Sequence, residues 1–338
     1  MRRVHATRPR GAIDVAWGLM ISFELDVEDL ADTRFAVSPL HETVVALRVL
    51  RDPGLSALHL PWRRAALAAL DPSDLRLLRA LVSDRRTLPD VLTPRPGEFA
   101  PAFDTELDLV RRAPGALVLR DLEAAHAPDP LPGVLLGTPP DDLRDTICDA
   151  LRRFWELAVE PHWRQMRLVL EADMTYRARR LALGGARLLF ADMHPDLRWR
   201  DGVLHIGRMI SHHHVTAAGR GLLLMPSVFV HKPSPPLSPD EAPSLAYPCR
   251  GVGTLWEPAP PPARSALDAL LGASKVRLLV LLAEPLPTVE IARRLRVTPS
   301  AVSQQLRILH ATGLVSRARD GRQVLYRRTS LGDGLIDP

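Results

Sequence analysis

The sequence predicts an α+β protein: a mainly helical N-terminal body with a small antiparallel sheet, followed by a small C-terminal domain of short helices closed by a β-hairpin. Three observations predict it. Helix caps followed by apolar residues three and four apart fill the first half. Alternating runs joined by Asp-Gly pairs recur near 197–206 and 314–328. A proline-dense run, Glu257 to Ala263, stands between the two regions. A chain of 338 residues exceeds the usual domain size of about 100–200, so two domains are expected. Its 46% hydrophobic and 25% charged residues exclude a wholly disordered chain.

Taken in order, Met1 to Leu19 shows neither helical nor strand period, and its basic start is not followed by the apolar stretch of a signal peptide. Residues 1–19 are therefore expected to be a non-native or disordered extension, with translation starting at Met20 and "MISFELDVEDLA" leading into the first helix. Ser38-Pro39 is a helix cap followed by proline at the first helical position. Val44, Leu47 and Val49-Leu50 continue that helix until Asp52-Pro53 stops it. Asp71-Pro72 opens another, carrying Leu75, Leu78 and Leu81-Val82. Thr138 to Leu183 offers two longer helices, broken at Pro161 and closed by Gly184-Gly185. Asp201-Gly202 between two apolar runs is a hairpin signal. Gly221 to Met225 and Ser227 to Val230 read as further strands divided by Pro226, and Lys232 to Pro243 as a proline-rich loop. The expected domains are thus 20–256, a regulatory, effector-binding or dimerisation body; 257–263, a polyproline-type linker; and 264–338, a DNA-binding domain.

Composition narrows the function. Two cysteines, Cys148 and Cys249, exclude a disulfide framework or a Cys-rich zinc module. No run reaches the roughly 18 apolar residues of a membrane span, so the chain is expected in the cytoplasm, without membrane contact. Lysine is confined to Lys232 and Lys275, and asparagine is absent. Both skews fit a GC-rich genome, which makes surplus arginine uninformative in itself. Its placement is informative. Arg264 to Arg328 holds twelve basic against four acidic residues, a local net of +8, whereas the remaining residues, 32 basic and 35 acidic, carry −3. A compact basic domain on a slightly acidic body is the electrostatic outline of a nucleic-acid reader.

The pattern inside that segment supports the outline. Ser274 is expected to cap a helix bearing Val276, Leu279, Val280 and Ala283; Thr288 caps the next, with Ile291 and Leu295 inward. Thr298-Pro299 opens a third, 299–312, with Val302, Leu306 and Leu309 as its buried stripe. Its other face presents Ser300, Ser303, Gln304 and Arg307. Two short helices joined by a tight turn make a helix-turn-helix, whose second helix fits the major groove. Gln pairs with adenine and Arg with guanine, while Ser adapts to either. A solvent-exposed polar face is the plain alternative. The following runs, Leu314 to Arg319 and Arg322 to Arg328 around Asp320-Gly321, add a basic hairpin with Arg317, Arg319, Arg322, Arg327 and Arg328 on or beside it. Such a wing contacts phosphate or enters the minor groove.

This segment, with its "TVEIARRL", "TPSAVSQQLRIL", "GLV" and "GRQVLY" runs in order, resembles the winged helix-turn-helix of ArsR-type bacterial regulators over about a fifth of the chain. The resemblance implies that Ser300, Ser303, Gln304, Gln305 and Arg307 read DNA, with Thr288, Thr298 and Arg322 on the backbone. The metal-sensing members carry a cysteine pair where the recognition helix begins; here Arg296 and Val297 stand there. The family's long C-terminal dimerisation helix is expected to be reduced here to at most a single turn, Leu331 to Ile336. In the body, "DLADTRFAVSPLHE" and "GRGLLLMPSVF" resemble an uncharacterised N-terminal region attached to such regulators in actinobacteria.

Other constellations are weaker. Adjacent His212, His213 and His214 cannot all face one ion and no carboxylate pattern brackets them, so a surface loop is expected, with no metal and no cofactor. Cys148 reads as a buried small residue, and Asp141-Asp142 as charge on a helix N-terminus. No catalytic residue is assigned, since nothing resembles a nucleophile elbow. The leading expectation is a sequence-specific regulator of double-stranded operator DNA, acting as a homodimer and answering an unknown small-molecule effector. The dimer contact is expected on the helices between Thr138 and Leu183, with Phe154, Trp155 and Trp163. The alternative is a ligand-processing enzyme or metal sensor with an appended winged helix.

Overall fold

The computed structural model describes residues 18–256, 264–320 and 323–336. The chain divides into two compact units, one ending at Trp256 and the other beginning at Glu257. The expected linker 257–263 and residues 1–17 of the expected extension lie outside the described residues.

The N-terminal unit opens with a strand where the sequence suggested the approach to a helix. β1 (Leu19–Glu24) sets Ile21 and Phe23 on one face, in the core, and the buried Ser22 and exposed Glu24 on the other, and Leu19 pairs with Met209. Only then does α1 (Val27–Ala31) begin, held by a reciprocal capping box between Asp26 and Asp29. After β2 (Arg34–Phe35) comes α2 (Pro39–Arg51), where Ser38 accepts the His41 amide as the cap-proline signal predicted. α3 (Leu60–Ala69) and α4 (Pro72–Ala80) follow, the latter capped by Asp71. Then come α5 (Phe103–Arg112), α6 (Gly115–His126) and α7 (Pro140–Phe154).

The break expected at Pro161 is a π-turn, Trp155–Val159, which hands over to α8 (Glu160–Phe190). The Trp62 indole donates to the Ala158 carbonyl at 2.7 Å beside it. Gly184-Gly185 does not close α8. It kinks it, Gly185 adopting φ 61° and ψ −161°, and helix resumes to Phe190. A side chain is strongly disfavoured in that backbone region.

Beyond α8, β3 (Leu197–Arg200) and β4 (Val203–Met209) form the predicted hairpin. Asp201 and Gly202 both have positive φ, as its two-residue turn requires. β5 (His213–Thr216) completes a sheet ordered β3-β4-β1-β5, in which β1 runs antiparallel to β4 and parallel to β5. The second sheet of the body, β2-β6-β7, is parallel, with β6 (Leu223–Ser227) central and β7 (Ser244–Pro248) beside it. Pro226 does not divide two strands as expected; β6 runs through it to Ser227, and Val228 to Val230 bends away instead. β2 pairs only with Leu223 and Leu224, so no neighbour on that side lacks the N–H that proline cannot supply.

β6 also explains how the body is built. Leu223 and Met225 join a helical core with Leu40, Leu47, Leu78 and Leu151, while Leu222 and Leu224 join a second core with Phe23, Ile206 and Phe190. A strand buried on both faces reads as a continuous apolar run. Phe154 and Trp155 are buried in the helical core, and Trp163 packs partly buried against it. They are packing residues of the unit itself, which removes the reason for assigning them a dimer contact.

The C-terminal unit comprises α9 (Arg264–Leu271), α10 (Ala273–Leu281), β8 (Leu286–Pro287), α11 (Thr288–Leu295), α12 (Pro299–Ala311), β9 (Val315–Asp320), β10 (Gln323–Arg328) and α13 (Ser330–Ile336). Gly272, not Ser274, caps α10. The helix stops at Leu281, so Leu278 and Leu282 are buried while Val280 faces outward. The chain is α+β throughout, with mainly helix in the body and small sheets in both units. Among the described residues no helix is long and apolar enough to cross a membrane.

Candidate nucleic-acid interface

Helices α11 and α12 are joined by Arg296, Val297 and Thr298. Arg296 takes the left-handed conformation (φ 56°) that ends α11, and the Val297 amide returns to the Ala292 carbonyl at 3.1 Å. Thr298 then caps α12, its hydroxyl accepting the Ala301 amide at 3.3 Å, with Pro299 at the first turn. At the far end Gly313 (φ 73°) reverses the chain and Leu314 donates back to Leu309 at 2.9 Å. Val302, Leu306 and Leu309 are buried against Ile291, Ala292 and Leu279. The stripe read from the sequence is the packing seam of this unit.

At 3.6 residues per turn, Ser300, Ser303, Gln304 and Arg307 fall within roughly 100° of the helix circumference, opposite that seam. All four are exposed. Gln305 lies elsewhere, half-buried on the flank of the stripe. Thr298 is committed to capping, and Thr288 is the first residue of α11, with Pro287 rather than Thr288 in the cap position. The α11 arginines are also committed: Arg293 and Arg294 both bond Glu290, at 2.7 Å each, and hold its carboxyl down at about 2. Among the described residues neither Arg307 nor Arg317 has a carboxylate within ion-pair reach.

The hairpin pairs with β8 in the order β8-β10-β9. Its register places Arg317 opposite Tyr326, Arg319 opposite Val324 and Arg327 opposite Ser316. Strand alternation therefore puts Arg317 and Arg319 on one face and Arg327 on the other. Arg328 is buried and bonds Asp333, which the sequence could not distinguish from its exposed neighbours. Arg322 lies outside the described residues.

The family model of the bacterial regulatory proteins of the arsR family matches residues 274–317. The C-terminal region is an ArsR-type helix-turn-helix. It is 41% identical over 63 residues to the HTH-type transcriptional regulator NmtR of Mycobacterium tuberculosis, which covers 18% of this chain and 52% of that protein. The chain thus spans about half the length of the curated relative it matches. The ArsR-type match runs from α10 through β8, α11 and α12 into the start of β9, and leaves the N-terminal unit unassigned.

In that unit His213 and His214 lie on an edge strand rather than a loop, and His212 precedes it. The parallel register sets His214 beside Ser22, with Ser22 Oγ 2.9 Å from His214 Nδ1 and Glu24 Oε2 3.1 Å from Nε2. Hydrogen bonds from His214 and Thr216 lower the Glu24 carboxyl. Residues 190 apart in sequence offered no signal for this ladder. Among the described residues no group of three or more His, Cys, Asp or Glu side chains could hold a metal ion. Cys148 is buried, and burial raises its thiol to about 11.

Proposed function

We propose that the chain is a DNA-binding transcriptional regulator that places α12 in the major groove and the β9–β10 hairpin along the backbone or in the minor groove. Ser300, Ser303, Gln304 and Arg307 meet base edges. Thr288, Thr298 and Gln305 flank them, and Arg317, Arg319 and Arg322 supply phosphate contact. One observation carries the reading: the α12 face opposite the buried stripe holds four exposed side chains that make no hydrogen bond or ion pair within the described residues. The ArsR-type match supports the same face.

A single recognition helix covers few base pairs, and half-sites one helical turn apart, about 34–36 Å, are the usual remedy. We therefore infer that the protein binds its operator as a homodimer. Light scattering of the full chain, alone and with an operator duplex, tests this: a monomer that binds one half-site with full affinity contradicts it.

A further inference from the structure

We propose that the N-terminal unit binds a small organic carboxylate in a cavity beneath its proline-rich loop, with the Arg48 guanidinium and the Lys232 amine as the groups that recognise the anion. The cavity holds about 450 Å³, within the range of small-molecule sites. Helix α2 contributes one wall and residues 231–244 another. The loop is pinned over it at two places. Both Asp90 oxygens accept from the Leu237 amide and one also from Ser238, at 2.8–3.0 Å. Ser234 and Ala246 exchange a pair of backbone bonds of 2.8 and 3.1 Å.

The charges lining this space do not balance locally. Arg48 Nε donates to the Arg86 carbonyl at 2.9 Å and Nη1 to Ser234 Oγ at 3.2 Å. Both acceptors are neutral, and among the described residues no carboxylate lies within 4.0 Å. Three of the five guanidinium N–H groups are left over. Burial pushes this guanidinium down to about 10. Among the described residues the Lys232 amine donates to the Arg208 carbonyl alone, at 3.3 Å; burial and then the Arg48 charge push it down, against a smaller opposing pull from Asp196. Of the three carboxylates of the lining, Asp90 accepts the loop amides while its charge also favours the Arg48 cation, Asp121 accepts from Val91 and Arg120, and Glu241 is exposed.

Thr87 and His231 add a hydroxyl-bearing and an imidazole side chain to the same lining. An anion would relieve the Arg48–Lys232 repulsion and bond both cations at once. Part of the lining, Val45, Leu88, Val91, Leu117 and Met225, is apolar and gives an organic body a surface that a bare inorganic anion would not use.

The test uses the full chain at constant ionic strength, by thermal shift and calorimetry. The probes are octanoate and 2-naphthoate, with 1-octanol and inorganic phosphate as controls. A carboxylate should raise the melting temperature by several degrees where neither control does. Arg48→Met and Lys232→Met should each weaken its binding at least tenfold. Unliganded Arg48→Met should melt close to the parent, because relief of a buried charge offsets the loss of two hydrogen bonds to neutral acceptors and of the Asp90 attraction. If Arg48→Met melts lower, Lys232→Met decides: a tenfold loss with unchanged melting upholds the proposal, and unchanged affinity overturns it. Binding of neither carboxylate, or phosphate matching them, also overturns it. No DNA enters the measurement, so this proposal and the nucleic-acid reading can fail separately.

Discussion

Arg328, the last residue of the basic hairpin, turns its guanidinium inward and meets Asp333 of α13, Nε to Oδ1 at 3.0 Å. Its amide bonds the Leu282 carbonyl at 2.9 Å, so β10 is fastened to both α10 and α13. A cation counted from the sequence among those near DNA is a clamp inside the unit.

Asp333→Ala should therefore lower the stability of the C-terminal unit, by about 1–2 kcal/mol, since removing one partner leaves a buried charge while the exposed carboxylate itself contributes little. Chemical denaturation followed by a probe in that unit measures it. An unchanged midpoint would show that Arg328 is held by its other contacts.

Gly332 sets a second constraint on α13. A Cβ built there lies 2.4 Å from the Leu314 carbonyl oxygen, a backbone atom that no rotamer change can move. Gly332→Ala should destabilise this unit by roughly 1–3 kcal/mol or displace α13. Parental stability would mean that α13 does not pack here in solution.

The α12 face predicts a division among its residues. Alanine at Gln304 or Arg307 should cost about 1–3 kcal/mol at the specific site and leave non-specific binding nearly intact. Gln305→Ala should cost less, because Gln305 lies on the flank of the buried stripe. Fluorescence anisotropy on specific and scrambled duplexes compares them; a larger loss at Gln305 than at Gln304 would reverse the assigned face.

On the hairpin, Arg317 and Arg327 point to opposite faces. Neutralising the one beside DNA should reduce the slope of log affinity against log salt by about one, and neutralising the other should not. Arg317→Gln is expected to do so. Equal slopes for both variants and the parent would place the hairpin away from the duplex.

How much of this was legible in sequence depended on how local the signal is. Ser38-Pro39, Asp71-Pro72, Asp201-Gly202 and Thr298-Pro299 encode caps and turns within four residues, and each stands where it was read. The stripe Val302, Leu306, Leu309 and the face opposite it followed from helical period alone. What failed was non-local. Pro226 interrupts a strand only if the neighbour its nitrogen faces needs an N–H, and β2 ends before reaching it. β1 and β5 find each other across 190 residues, and the cavity is assembled from segments between Ile21 and Ser244. Arg328 and Arg327 are adjacent and chemically alike; only strand alternation separates the clamp from the surface.

The body should be sensitive to pH through Glu106. Burial raises its carboxyl to about 7, although Ser38 Oγ and the Leu40 amide donate to Oε2 at 2.8 and 3.1 Å. A carboxyl raised above its unfolded value adds stability at low pH and loses it as pH rises through 7. Glu106→Gln keeps an acceptor and removes the charge. Between pH 5 and 8 the variant should escape a loss on the order of 3 kcal/mol that the parent suffers. Parallel melting curves for the two proteins across that range would contradict this.

The central claim is that the α12 face reads a specific DNA sequence. A gel shift of the full chain on the DNA upstream of its own coding sequence, against a scrambled duplex, tests it most directly. A specific complex that Arg307→Ala weakens by at least tenfold, while the scrambled duplex is bound equally by both proteins, is the predicted result. Equal affinity of the parent for both duplexes, or an Arg307→Ala variant that binds the upstream DNA within twofold of the parent, would contradict the account.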